Sequence, residues 1–476
     1  MFNKEEFREN ALTIIDWIAE YLSTVEKLPV RSKLEYGEIK SRLPETPPQA
    51  RENIDTIFRD FNSILLDGIT HWQSPGFHAY FPANNSPPSI LAEFITAALG
   101  VQGMKWITSP AATELEEVVM EWLRKMIHLP EGFTGVIQDT ASVSTLCAIL
   151  AAREKITQYT FNEEGTYKGK LTVYCSAEAH SSIEKAVRIA GLGSNSLRKI
   201  KVDRLFRMLP EELESAIVHD REKGFLPACI VSALGTTGTC AIDPIQEIGI
   251  LATKYGIWHH IDAAYAGTAL ILPEFKKSVP GIELADSFVF NPHKWMFTNF
   301  DCSALFVKDS EHLQNTFRLV PSYLQNRSDD HVNDYSNWGI QLGRRFRSLK
   351  LWFVIRYYGW QGLQEMVNEH IRLASIFEEG INKSELFELV VPRTLTVVVF
   401  RFVPPDQQDQ FDLNVLNEKL LENINKTGEI FLSHTLAGDK FVLRFVCSQT
   451  YVEQKHVEKA VKVITESASI LLNQLQ

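Results

Sequence analysis

Apolar residues recur at helical spacing near the start of the chain, where Phe7, Ala11, Ile14, Ile15, Ile18, Tyr21 and Leu22 share one face. A similar pattern runs through 54–66, so the N-terminal stretch reads as helical. Residues 71–88 (HWQSPGFHAYFPANNSPP) fit neither period and are too apolar for a solvated linker, which predicts a buried or interface loop. From Gly135 to about Lys308 the pattern changes to short apolar runs alternating with amphipathic stretches. That alternation predicts a layered α/β domain with a largely parallel sheet, its strands at 171–175, 228–234, 257–261 and 287–290. Residues 321–338 are polar and irregular over a length typical of functional lids or disorder, and read as a lid. Beyond a helical pattern at 349–358, strands such as 396–402 and 441–447 alternate with helices, predicting a smaller α+β domain.

Length and composition narrow the class. A chain of 476 residues holds two or three folding units, and 45% hydrophobic with 22% charged residues is ordinary for a soluble globular protein. The 48 basic against 59 acidic side chains leave a net charge of −11 with no basic run, which argues against nucleic-acid partners. Six cysteines without CxxC spacing read as reduced. The first ten residues are charged rather than basic-then-apolar, and no stretch approaches the roughly 18 consecutive apolar residues of a membrane span. A cytoplasmic protein without membrane contact is expected.

Several motifs fail on inspection. Gly191-Leu192-Gly193 lacks the third glycine of a dinucleotide fingerprint, and Ser182-Ile183-Glu184-Lys185 lacks the companions of an SxxK nucleophile site. His259 and His260 alternate faces on a strand and cannot share a metal, so no metal is expected.

One constellation survives. Lys294, in NPHKW after the run 287–290, emerges from a strand end into a site, where partial desolvation frees its amine to attack an aldehyde. A lone lysine there would be read as a surface loop residue. Asp262 closes another strand and is followed by Ala263, Ala264, Tyr265, Ala266 and Gly267, small residues that admit a flat ring beside a carboxylate able to pair with a protonated pyridine nitrogen. Alone it would be a capping aspartate. Residues 135–138, the turn 139–142 and the helical pattern 143–152 form a strand, turn and helix start. Its free N–H groups, with the Thr140 and Ser142 hydroxyls, suit a phosphate, though Thr and Ser are also ordinary caps. Gly235-Thr236-Thr237-Gly238 adds a polar strand end and His180 an aromatic plate, neither specific singly.

These elements occur in chain order, and here the sequence resembles the group II pyridoxal-phosphate decarboxylases, most closely the aromatic-L-amino-acid decarboxylases. The resemblance spans nearly the whole chain: THWQSP from Thr70, SPAATELE from Ser109, AHSSIEKA from Ala179, HIDAAYAG from His260, FNPHKW from Phe290, NFDCSA from Asn299 and LGRRFRSLKLWFV from Leu342. It implies a fold-type-I homodimer with a helical dimerisation segment (1–85), a large cofactor-binding α/β domain (86–350) and a small α+β domain (351–476). The implied activity is pyridoxal-5'-phosphate-dependent conversion of tryptophan, phenylalanine, tyrosine or their hydroxylated derivatives to arylalkylamine and CO2.

By the same resemblance, Lys294 carries the cofactor as an imine, Asp262 meets the pyridine nitrogen, Ala264 packs on the ring and His180 stacks on its other face. Phosphate contacts fall on Ala141, Ser142, Asn291 and His293 with Thr140 at the turn, and Thr237 touches the cofactor. The substrate ring rests near Trp72, Tyr80 and Pro82, with Gln102 and Met104 reaching in from the other subunit. Ala83 stands where the family often has Thr, and Gly343, where some relatives have Ser, leaves room for a large ring such as indole. Tyr323 occupies the position where true decarboxylases carry tyrosine and aldehyde-forming members often phenylalanine, which favours simple decarboxylation. The rivals are an oxidative aldehyde-forming enzyme, a decarboxylase of glutamate or histidine, and a catalytically silent binding protein that would be expected to lack the lysine or the aspartate.

Overall fold

The short apolar runs in the middle of the chain become one sheet, whose strands are β1 (Thr134–Gln138), β2 (Lys170–Ser176), β3 (Leu197–Ile200), β4 (Phe225–Ala233), β5 (Trp258–Asp262), β6 (Ser287–Phe290) and β7 (Ser303–Val307). Their spatial order is β1-β7-β6-β5-β4-β2-β3. Only β7 opposes its neighbours, so the other six point the same way. Side chains sort by parity: Val173, Cys175, Cys229 and Val231 enter a core shared with helices Ala141–Thr157 and Ser181–Ile189. Tyr174 and Ile230, between them, enter a second core with helices Pro210–Glu222 and Ile245–Tyr255. Successive side chains of a strand face opposite ways, so a sheet covered on both faces needs continuous apolar runs.

The computed structural model describes residues 2–319, 332–405 and 411–475. They divide into two compact units: Ala83–Ile371 with Arg393–Val397, which holds this sheet, and Met1–Pro82, Arg372–Pro392 and Val398–Gln476. In the second unit, helix Lys4–Thr24 is capped by the Asn3 carboxamide, which accepts from the Glu5 and Glu6 N–H groups. A four-stranded sheet in the order β10-β11-β9-β8 comprises β8 (Phe387–Leu389), β9 (Val397–Phe402), β10 (Ser433–Ala437) and β11 (Lys440–Val446). It packs with helices Leu413–Thr427 and Gln454–Asn473 around Phe400, Phe402, Leu443, Phe445, Leu420 and Ile464.

Boundaries shift for identifiable reasons. The fourth strand starts at Phe225 rather than at 228, because Pro227, which has no N–H to donate, sits where the ladder to β2 slips by one residue. The irregular stretch ends at Ser86, since Pro87 and Pro88 open helix Pro87–Leu99 in the first turn, where a missing N–H costs nothing. Residues 321–331 of the expected lid, Tyr323 among them, lie outside the described residues. The remainder, 332–338, is not lid-like: Tyr335 and Trp338 are buried, Ser336 N–H donates to Met104 O at 2.9 Å, and Lys105 pairs with Asp334 at 3.2 Å. Two aromatics anchor what its polar composition suggested would be loose.

Candidate active site

The register decides what meets at the sheet's edge. Ala233 pairs with Asp262, Asp262 with Val289, Phe290 with Ala304, and Gln138 with Ser303, so the carboxyl ends of β4, β5, β6 and β1 are level. Adjacent strands stand about 4.8 Å apart. Asp262 closes β5, and the turns that follow the strands carry Thr237, Ala264, Asn291 to Lys294, and Thr140 to Ser142; Cys175, level with Val231, brings the turn to His180 alongside. Ligand sites in open α/β sheets form at this edge.

Lys294 sits in the short helix Pro292–Trp295 directly after β6 and is half-buried. Its backbone is held from two sides, its N–H donating to Asn291 O and its carbonyl accepting Asn84 Nδ2–H, both at 2.9 Å. Asn84 N–H also reaches His293 O at 3.1 Å, and the Ser86 hydroxyl donates to Phe297 O at 2.6 Å. Trp295 stacks on Tyr265 with centroids 4.8 Å apart, locking this turn to the one after β5, and its Nε1–H donates to His370 at 2.9 Å. Asp262 Oδ1 accepts the Ala264 N–H at 3.0 Å.

Burial lowers the pKa of both histidines and so favours their neutral forms. His180 Nδ1 accepts the Ser182 N–H at 3.1 Å, leaving the ring proton on Nε2. Its ring stands at the open side of the site, yet desolvation by the surrounding protein lowers its pKa; the Asp262 charge opposes this and the Lys294 charge reinforces it. His180 thus lies within electrostatic reach of both Asp262 and Lys294. His293 is buried, which pushes its pKa down to about 3, and its Nδ1 accepts the Cys302 N–H at 2.8 Å, so Nε2 is again the donor.

Helix Ala141–Thr157 starts without a side-chain cap. The Thr140 hydroxyl, expected to serve a phosphate, instead donates to Asp139 Oδ1 at 3.1 Å, while Ser142 is exposed. Thr237 is also exposed, in a turn where Gly235 has φ +94° and an added Cβ would come within 2.9 Å of Ala266 Cβ. The side-chain oxygen of Asn291 is buried with no hydrogen-bond partner among the described residues. An amine, a carboxylate, small residues for a ring and neutral N–H donors make a set of groups that suits a phosphorylated pyridine aldehyde, while the partnerless Asn291 oxygen can only accept a hydrogen bond.

Gln102, Met104 and Gly343 form a second group: a Cβ on Gly343 would lie 3.2 Å from Gln102 Oε1. Arg344 organises it, donating to Gly103 O at 3.3 Å, to Ile137 O at 2.8 Å and to Glu116 Oε1 at 2.6 Å. Glu116 also accepts the Ile137 N–H at 2.8 Å, tying this group to the end of β1. Both ions are buried, so removing one strands the other. Arg344→Met is therefore expected to destabilise the protein by roughly 3 kcal/mol, read as a lower thermal midpoint; an unchanged midpoint would contradict it. Trp72, Tyr80 and Pro82 belong to the other unit, where Trp72 and Tyr80 stack with centroids 6.0 Å apart and both rings are exposed. Ala83 opens the large unit. Asn84, Ser86, Glu116, Arg344 and Asp139 were not singled out from sequence, where each has a polar neighbour and no local pattern marks it.

The chain matches the pyridoxal-dependent decarboxylase conserved domain over residues 37–403. It is 41% identical to the phenylacetaldehyde synthase of Arabidopsis thaliana, covering 99% of this chain and 97% of that protein. It is equally 41% identical to tyrosine decarboxylase 2 of Narcissus pseudonarcissus, over 98% and 95% of the two chains. The crystal structure of Catharanthus roseus tryptophan decarboxylase in complex with L-tryptophan superposes with a TM-score of 0.93 at 38% identity, covering 99% of each chain. With a site suited to the same cofactor at its sheet edge and this likeness along its whole length, the chain belongs to the pyridoxal-dependent decarboxylase family.

Proposed function

We propose that the protein converts aromatic L-amino acids to arylalkylamines and CO2 with pyridoxal 5'-phosphate held at Lys294, and works as a cytoplasmic homodimer through its N-terminal segment. The observation that carries the reading is the meeting of Lys294, Asp262 and His180 at one sheet edge beside an uncapped helix start. Bound there, the cofactor supplies a cationic ring that takes up the electron pair released as the carboxylate leaves.

The chain's own residues do the rest. Lys294 provides the amine that binds the aldehyde. Asp262, with Oδ1 fixed by Ala264, keeps a ring nitrogen protonated by its charge. His180 covers one ring face and offers Nε2–H, and Ala264 leaves space at the other. Ala141 and Ser142 N–H groups, the Asn291 amide, His293 Nε2–H, Thr140 and Thr237 receive the phosphate and its surroundings. Trp72, Tyr80, Pro82, Ala83, Gln102, Met104 and Gly343 are assigned to the substrate's ring on the family pattern, with Gln102 and Met104, and with them the Gly343 that neighbours Gln102 in the same chain, contributed by the partner subunit.

The second reading is oxidative: one relative at 41% identity is a phenylacetaldehyde synthase. Tyr323 favours the amine, because a phenol can deliver a proton to the α-carbon once CO2 has left. Tyr323→Phe is expected to keep releasing CO2 while, under air, oxygen and water are consumed and aldehyde, ammonia and peroxide replace the amine. Amine as the sole aerobic product of that variant would reject the proton-donor role.

A further inference from the structure

We propose that Asp139 is a built-in competitor for the cofactor's phosphate, holding the Thr140 donors and opposing a second anion at the start of helix Ala141–Thr157. The proposal rests on the reading that the phosphate is received at 140–142. Asp139 Oδ1 accepts both the Thr140 N–H, at 2.5 Å, and the Thr140 hydroxyl, at 3.1 Å. Asp139 Oδ2 accepts Gln341 Nε2–H at 2.8 Å, so both oxygens are fixed and the half-buried carboxylate cannot turn away without losing a partner.

The helix start is the one place in this turn where an anion gains from the aligned peptide dipoles, and a carboxylate beside it already takes part of that gain. An arriving phosphate, close to doubly ionised at neutral pH, must share the field with Asp139 and take the Thr140 hydroxyl from it. Removing the charge while keeping the shape relieves the repulsion, and the neutral asparagine oxygen is a weaker acceptor from which a phosphate takes the Thr140 hydroxyl more easily. Cofactor affinity therefore rises. Gln341 lies two residues before Gly343, so the same carboxylate joins the phosphate turn to the segment assigned to the substrate's ring.

Binding to the apoenzyme tests this without recourse to activity. Dissociation constants for pyridoxal 5'-phosphate and for pyridoxal, which lacks the phosphate, are measured by quenching of tryptophan fluorescence in wild type, Asp139→Asn and Ser142→Asp. Asp139→Asn is expected to tighten pyridoxal 5'-phosphate by roughly three- to tenfold, leave pyridoxal unchanged, and lose much of the gain at high salt. Ser142→Asp, which adds charge at the helix start, is expected to weaken only the phosphorylated ligand. If Ser142→Asp leaves that affinity unchanged, the phosphate is not received there and the underlying reading fails. If Ser142→Asp weakens it while Asp139→Asn fails to tighten it, or shifts both ligands equally, Asp139 merely closes its turn and the proposal is overturned.

Discussion

Lys294→Ala is expected to lose turnover by on the order of 10⁴-fold or more, the scale set by covalent, pre-oriented capture of a reactant. The substitution removes only atoms beyond Cβ. The turn that carries it is fixed through the backbone by Asn291 and Asn84 and through the stacked pair Trp295 and Tyr265, none of which needs the lysine side chain. Folding and thermal midpoint should thus stay near wild type, which separates lost chemistry from lost structure. In the wild-type holoenzyme, borohydride should fix the cofactor to the peptide containing Lys294. A label on a peptide lacking Lys294, or substantial turnover by Lys294→Ala, would displace this residue from its role.

Asp262→Asn is expected to fold, to bind cofactor more weakly and to lose roughly 10²- to 10³-fold in rate, the usual scale for removing one preorganised electrostatic partner. The asparagine oxygen can still accept the Ala264 N–H, so the turn after β5 keeps its shape. What disappears is the negative charge that keeps a ring nitrogen protonated. The same charge acts on His180, favouring its protonated form. In the variant, His180 therefore titrates at a lower pH still, a shift visible by NMR of the ring. Near-normal turnover in Asp262→Asn would remove the electronic argument and leave a structural aspartate.

Much of the architecture was legible because burial on both faces forces continuous apolar runs, and parity within runs such as 171–175 then sends Val173 and Tyr174 to different cores. The edge position of Asp262 and Lys294 followed from the polar clusters that end their strands. Local irregularity was less legible: a proline inside a central strand reads as a boundary, and only the slipped ladder at Pro227 shows how the strand continues through it. Long-range polar contacts were illegible in principle. Asn84 and Lys294 are 210 positions apart, Gln341 and Asp139 are 202, and no periodicity encodes such pairs. The Thr140 hydroxyl shows the consequence, since its residue type suited a phosphate while its neighbour Asp139 decides where the proton points.

Substrate and reaction are tested together by incubating the purified, cofactor-loaded protein with tryptophan, tyrosine, phenylalanine, DOPA and 5-hydroxytryptophan, with glutamate as the non-aromatic control. CO2, amine, aldehyde and peroxide are followed in parallel under air. The expected result is one amine per CO2 from at least one aromatic amino acid, with little peroxide and no turnover of glutamate. Aldehyde and peroxide as the main products, or faster release of CO2 from glutamate than from every aromatic substrate, would contradict the account.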